Sequence, residues 1–256
     1  MRAIHGWDLE GCRAVVTGGS RGIGGALVEQ LVSLGARVLS VSLETPDPRE
    51  SVIDLAADIA TIDGRASVVQ AVKSNWGGLE ILVNNVGMNI RKPTLEYTLE
   101  EYEQVQSTNA TSMFELSRML HPCLKLSGRG CIVNVGSVAG GLSVGSSAAY
   151  AMSKAAVAQM SKYLAVEWAK DGIRVNGIAP GWVATMLTSK IQNSPKAMDV
   201  ISARTPLGRM ARSEEIASVA AFLCLPCASY LNGAVIPVDG GMSAFSMDIT
   251  AALRET

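Results

Sequence analysis

Tyr150 and Lys154 stand four residues apart in Tyr-Ala-Met-Ser-Lys, and Ser137 lies thirteen residues before the tyrosine. Positions four apart share one face of a helix, so the phenol and the ammonium can enter one pocket. An ammonium beside a phenol favours the phenolate and draws the tyrosine down from its ordinary pKa of about 10. A phenol placed so is a proton donor or acceptor at neutral pH. The spacing alone carries little, because a half-buried tyrosine beside a solvated lysine is the common outcome on helices. Its meaning depends on what the rest of the chain places around it.

A second group of residues able to do chemistry follows the first strand. Arg13 to Thr17 is apolar and β-rich, and it runs into Thr17-Gly-Gly-Ser-Arg-Gly-Ile-Gly24. Gly18, Gly22 and Gly24 fall at a strand-to-helix turn, where glycine permits the backbone geometry and lets a ligand approach closely. The helix behind it offers unpaired N–H groups and a positive dipole end to a pyrophosphate. After the first strand of a βαβ series, this turn predicts a dinucleotide site that includes Ser20, Arg21 and Ile23. The acidic residue that usually ends the second strand and holds the ribose hydroxyls is here Ser42, followed by Leu43. With no carboxylate to repel a 2′-phosphate and Arg21 able to pair with one, NADP(H) is favoured. Glu44 lies two residues on, and turned inward it would favour NAD(H) instead.

The elements needed to position these groups are legible as an alternation. Apolar β-rich runs at 13–17, 37–42, 52–57, 80–84, 131–135, 174–179 and 234–238 are separated by helical patterns at 24–34, 67–76, 99–126, 150–170 and 213–225. Pro122 is expected to kink the last turns of the long helix. Continuous apolar strands between helices predict a parallel seven-stranded sheet covered on both faces, the doubly wound α/β architecture of a Rossmann fold. No linker, repeat or low-complexity segment divides residues 1–256, so a single domain is expected. One connection is irregular. Only eight residues, 44 to 51, join the second and third strands, and Pro46 and Pro48 oppose a helix there.

Composition excludes several function classes. Twenty-two Lys and Arg balance 23 Asp and Glu, and the basic clusters Arg91-Lys92 and Arg209 to Arg212 are short, so no nucleic-acid partner is expected. No run approaches the roughly 18 apolar residues of a membrane span. Met1 to Gly11 has no apolar stretch suited to a secretory signal. Five cysteines in apolar contexts fit a reducing compartment, and a cytoplasmic location is expected. Cys224-Leu-Pro-Cys227 lacks a second cysteine pair, and His5 and His121 are distant in sequence. It is read as structural, and no metal is expected.

On these motifs the chain resembles the short-chain dehydrogenase/reductases of the compact one-domain type, over nearly its full length. The resemblance rests on Thr17 to Gly24, Asn84-Asn85-Val86-Gly87, Asn109 in Ser107-Thr-Asn-Ala, Ser137, Tyr150, Lys154, Pro180-Gly181 and Thr185. Within the family, residues 84 to 93, 167 to 176, 205 to 209 and 222 to 230 look most like tropinone-reductase-like enzymes, NADPH-dependent reductases of cyclic and other ketones. Three departures stand out: Val86 for the usual alanine, Leu43 for the basic residue of many NADP-type members, and the short 44–51 link.

The resemblance implies that Ser137 bonds the substrate carbonyl oxygen, Tyr150 supplies the proton, and Lys154 lowers the tyrosine pKa while bonding the nicotinamide ribose. The Asn109 main chain is implied to hold a water that connects Lys154 to solvent. Asp58 would accept from the adenine amino group with Ile59 beside it, though Asp58 also suits a helix cap. Asn85 and Gly87 would meet the cofactor, Pro180 and Gly181 would close over the nicotinamide, and Val183 and Thr185 would contact its carboxamide. Thr185 also suits an ordinary loop hydroxyl.

The segment 186–212, with Pro195, Pro206 and Gly208, has few helix or strand signals and follows the carboxamide contact, so it is the expected substrate lid. Met186, Leu187, Ile191 and Met198 predict an apolar lining and a small, largely apolar carbonyl substrate, cyclic ketones included; Lys190, Lys196 and Arg204 read as surface charges. A 3-oxoacyl carrier-protein reductase is the alternative, and it would draw on Arg91, Lys92 and Arg129 for its acidic carrier. A silent NADP(H)-binding scaffold is disfavoured by the complete set Asn109, Ser137, Tyr150 and Lys154. A homo-oligomer, dimer or tetramer, is implied by the resemblance.

Overall fold

The computed structural model describes residues 6–246. Its seven strands are β1 Arg13–Thr17, β2 Arg37–Ser42, β3 Val52–Ala56, β4 Ile81–Asn84, β5 Gly130–Val135, β6 Ile173–Pro180 and β7 Val235–Val238. They lie in the order β3-β2-β1-β4-β5-β6-β7, and every pairing is parallel. The helices are α1 Gly22–Ser33, α2 Ile62–Asn75, α3 Leu99–Gln106, α4 Ser112–Leu126, α5 Ala148–Glu167, α6 Ser189–Gln192, α7 Pro195–Arg204 and α8 Ser213–Cys224.

Both faces of the sheet are covered, which is why its central strands are apolar without alternation. On one face Val16, Val38, Ile81 and Val133 meet Leu27 and Leu31 of α1 and Ile216 and Ala220 of α8. On the other, Leu39, Leu82, Ile132 and Val175 meet Val68 of α2, Leu120 of α4 and Leu164 of α5. The chain leaves β1 toward β2 and β3, then returns to place β4 on the other side of β1. The connections after β1 and β4 therefore diverge, and a crevice opens at the strands' carboxyl ends. The architecture is a single doubly wound Rossmann domain.

The structure corrects the expected elements at several points. Helix α2 begins at Ile62 rather than 67, with Thr61 Oγ1 accepting from the Gly64 N–H at 3.0 Å. Gly64 weakens the helical pattern there, yet a Cβ at that position would fall 1.9 Å from the Asp58 carbonyl oxygen. Between α3 and α4 the long helix widens into a π-type turn at Ser107–Thr111. That is where regular geometry breaks; the helix runs through Pro122 to Leu126. The segment 186–212 is not irregular, since it contains α6 and α7. Ser194 caps α7 through the Ala197 N–H, and Pro195 occupies its first turn, a start signal present in the sequence.

The 43–51 link carries no helix. Cys224 is buried and Cys227 exposed, His121 pairs with Asp171 at 3.0 Å, and His5 lies outside the described residues. Among the described residues, no group of three or more His, Cys, Asp or Glu side chains forms a metal-ligand cluster, and no helix is long and apolar enough to cross a membrane.

Candidate active site

The glycine turn is assembled by packing constraints from both sides. Gly18 and Gly22 adopt positive φ (69° and 58°), and a Cβ on Gly24 would sit 2.1 Å from the Gly18 carbonyl oxygen. Asn85, after β4, clamps the turn from the neighbouring connection: its Nδ2 donates to the Thr17 carbonyl at 2.9 Å, and its N–H donates to Thr17 Oγ1 at 2.9 Å. Arg21 precedes α1 without providing a side-chain cap, so the first N–H groups of the helix have no side-chain acceptor. Uncapped donors behind a turn that excludes side chains fit a pyrophosphate.

The turn forms one end of a cavity of about 690 Å³ whose other end holds the catalytic candidates. Gly18, Ser20, Arg21, Gly22 and Ile23 line it together with Ser137, Tyr150 and Lys154. Gly24 stands behind the turn, where its lack of a side chain permits the close approach to Gly18. Ser137 lies two residues past β5 and caps a 3-10 turn, its Oγ accepting from the Ala139 N–H at 3.1 Å. Tyr150 lies in the first turn of α5, where Ser147 Oγ accepts its N–H at 3.3 Å. One turn on, Lys154 is buried and donates Nζ to the Val135 carbonyl at 2.9 Å. Gly87 leaves room for that ammonium: a Cβ there would be 3.2 Å from Nζ.

Asn109 is fully buried within the π-type turn, behind this wall rather than on it. Its Oδ1 accepts from the Met88 N–H at 2.8 Å, while its Nδ2 donates to the Met88 carbonyl at 2.9 Å and to Ser153 Oγ at 3.0 Å. The side chain thus ties the strand connection carrying Gly87 to the helix carrying Lys154. A π-type turn frees backbone carbonyls from the regular ladder, a frequent device at functional sites.

The electrostatics differ from the simple tyrosine–lysine picture. Burial raises the Tyr150 phenol above its ordinary value, and a hydrogen bond with Ser137 and the charge of Arg91 pull it back down. Loss of hydration lowers Lys154 to about 8. The ammonium stands 5.7 Å from the phenol ring centre and is committed to the Val135 carbonyl. Arg91 thus adds a second positive charge that lowers the phenol, beside the Lys154 ammonium.

At the end beside β2 and β3, Ser42, Glu44, Asp58 and Ile59 line the cavity. Ser42 Oγ accepts the Ser20 N–H at 3.0 Å, so it braces the glycine turn. Asp58 does not cap α2, since Thr61 does; its Oδ1 accepts from the Ala60 N–H at 2.9 Å. At the opposite end Asn85, Gly87, Pro180, Gly181, Val183 and Thr185 line the wall. Thr185 begins a short 3-10 turn and lies against the glycine turn, 3.5 Å from where a Cβ on Gly22 would be.

Met186 and Leu187 reach the cavity, but Ile191 and Met198 do not. Apolar lining near Tyr150 comes instead from Val138, Ala139, Val144 and Trp182. Arg91 joins the wall to the segment after Thr185 by donating Nη1 to the Leu187 carbonyl at 3.0 Å. Lys92 is paired with Glu101. Arg129 precedes β5 at the sheet's opposite end, where its charge acts on Cys12 and Glu80. These three cations therefore form no common basic patch.

Known proteins resemble this chain in sequence and in fold. A family described as enoyl-(acyl carrier protein) reductase matches residues 18–243. A tropinone reductase homolog of Arabidopsis thaliana is 43% identical over 254 residues, covering 95% of this chain and 96% of the relative. The chain belongs to the short-chain dehydrogenase/reductase family. Within that family it is tropinone-reductase-like. The crystal structure of a gluconate 5-dehydrogenase from Beutenbergia cavernae, described as putative and NAD(P)-dependent and holding NADP, superposes with a TM-score of 0.87 at 33% identity, covering 93% of this chain and 99% of that one. The Pseudomonas aeruginosa RhlG/NADP complex gives 0.84 at 35% identity, covering 92% and 98%. This short-chain dehydrogenase/reductase is thus an oxidoreductase by family, with the catalytic candidates and the glycine turn lining one cavity.

Proposed function

We propose that this protein is an NADP(H)-dependent reductase of a ketone or other carbonyl in a small, largely apolar substrate. The observation that carries the reading is the single cavity lined by Ser137, Tyr150, Lys154 and the uncapped glycine turn. When bound, the nicotinamide supplies the hydride; the chain supplies alignment and the proton. The turn and the N-terminus of α1 hold the pyrophosphate, while Asp58 and Ile59 face the adenine and Lys154 the ribose next to the nicotinamide. Ser137 donates to the carbonyl oxygen, and Tyr150 delivers its phenolic proton as negative charge develops there. Asn109 positions Lys154 through Met88 and Ser153. A phenol kept protonated by burial and tempered by Arg91 is suited to the role of acid.

Val138, Ala139, Val144 and Trp182 support an apolar substrate. The separation of Arg129 from Arg91 and Lys92 speaks against an acidic carrier protein. NADP in two structural relatives supports the choice of dinucleotide, as does Arg21 at the adenosine end, although Glu44 lines that end too and opposes it. A cytoplasmic homo-oligomer, built as a single domain over 1–256, completes the reading. Oxidation of NADPH or NADH with a panel of cyclic ketones, bicyclic amino ketones, oxoacyl thioesters and steroids tests it. Turnover of cyclic ketones with NADPH is expected; turnover of oxoacyl thioesters alone would replace the substrate class.

A further inference from the structure

The helix missing between β2 and β3 has a substitute in Arg49. These strands pair in parallel, with Val38 opposite Val52 and Ser40 opposite Asp54. Val38 and Val52 belong to the face covered by α1, and side chains two residues on return to the same face. A right-handed crossover helix from β2 to β3 would lie on that face, beside α1. In its place the face is polar and Arg49 lies across it. One guanidinium nitrogen, Nη2, donates to Asp54 Oδ1 at 2.6 Å and to Ser40 Oγ at 2.9 Å. The other, Nη1, donates to the Gly19 carbonyl at 3.2 Å.

Gly19 belongs to the glycine turn and is pressed against β2: a Cβ there would come within 2.7 Å of Ser40 Oγ. Arg49 thus grips both members of that contact. The backbone is bent to allow it. The Val52 N–H bonds back to the Arg49 carbonyl at 3.3 Å, and Ser51 has φ 61°, the one non-glycine residue with positive φ among the described residues. Such a conformation persists where surrounding contacts over-determine it, and the Arg49 bonds to Asp54, Ser40 and Gly19 supply those contacts. The side chain of Arg49 is 23% exposed and its Nε is buried without a partner, so the group is sunk into the fold and not free at the surface.

We infer that Arg49 is a positioning residue for the dinucleotide, setting the glycine turn from behind in place of the absent helix. Its charge is taken up by Asp54, and it lies outside the cavity wall, so it acts through Gly19 and touches no phosphate. The inference rests on the reading that a nicotinamide dinucleotide occupies the turn. It differs in outcome from direct recognition of a 2′-phosphate, which would affect NADPH alone.

The test measures NADPH and NADH binding by cofactor fluorescence, with kcat and thermal midpoints, for the full chain and for Arg49→Met, Arg49→Lys and Asp54→Asn. Arg49→Met is expected to weaken both dinucleotides by one common factor of about ten while kcat at saturation stays within about twofold. Arg49→Lys should recover part of the loss. Asp54→Asn, which keeps the arginine, should weaken both by a smaller common factor even if Arg49→Met does not fold. Loss confined to NADPH would overturn the inference in favour of a direct phosphate contact. A lowered thermal midpoint with both affinities unchanged would reduce Arg49 to a purely structural role and overturn it too. Wild-type protein that binds neither dinucleotide would instead overturn the cofactor reading itself.

Discussion

The wall around Tyr150 and the edge around Ser42 both hold polar groups toward a ligand, but by different means. The wall stands on interior strands and is backed by a buried network. Asn84 Nδ2 donates to Asn134 Oδ1 at 2.8 Å and to Ser117 Oγ at 3.0 Å, and Asn134 Nδ2 donates to Ser161 Oγ at 2.9 Å. Asn109 adds three further bonds. The edge stands on β3, the outermost strand, and is braced by one arginine and the hydroxyl of Ser42. A group with many partners in the interior keeps its geometry when a neighbour changes, whereas a group on few braces at a sheet edge does not. Loss of the Tyr150 hydroxyl at the wall should therefore remove chemistry and leave cofactor binding intact. Changes at the edge should shift cofactor affinity or choice and leave chemistry intact.

The sharpest way to break this contrast is Tyr150→Phe. It removes only the hydroxyl, so kcat should fall by about 10²–10⁴ with cofactor affinity within about twofold, measured by steady-state kinetics and cofactor fluorescence. Near-normal turnover would show that the acid is elsewhere. At the edge, Ser42→Asp should lower the NADPH-to-NADH ratio of kcat/KM by about tenfold, because it adds a carboxylate where a 2′-phosphate would sit. An unchanged ratio would show that residue 42 does not face the ribose. This outcome is distinct from that of Arg49→Met, which moves both dinucleotides together.

A smaller effect is expected from Asn109→Ala, which strands the Met88 N–H and carbonyl in the interior. Thermal or urea denaturation should show a loss of about 1–3 kcal/mol. A neutral result would mean that the π-type turn holds its shape without the amide. The mildest test concerns Lys154, whose pKa falls from 10.5 to about 8 on burial. Below pH 8 the folded protein bears the full cost of a buried charge. As pH rises from 8 to 10.5 the folded state sheds that proton while the unfolded state keeps it, so this group's contribution makes stability rise. Lys154→Met should abolish that rise and raise the thermal midpoint at neutral pH, even as it removes activity. A midpoint lowered at pH 7 would show that the bond to the Val135 carbonyl outweighs desolvation.

Much of the fold was legible because its signals are local. The seven apolar runs correspond to the seven strands within one or two residues, and the missing helix after β2 follows from Pro46, Pro48 and a link too short for one. Boundaries failed where a tertiary contact overrode the local pattern. Gly64 hid the start of α2 because its lack of a side chain answers the Asp58 carbonyl, not the helix. The Ser194-Pro195 start of α7 was present but outweighed by the prolines and glycine around it. At the site, the residues that line the cavity were legible as a motif set, whereas Trp182 and Val144 sit in loops with no periodicity to orient them.

The sequence by itself determined the sheet, the glycine turn and the Ser137, Tyr150 and Lys154 set, since helix spacing and steric need for glycine act over a few residues. Only the tertiary structure decided that Arg91 adds its charge at the phenol, that Arg129 lies at the far end of the sheet, and that Asn109 works from behind the wall. The same is true of Arg49, which reads in sequence as one more charge in a proline-rich link. Its partners Gly19, Ser40 and Asp54 come from three different segments, and strand register alone brings them within reach of one guanidinium.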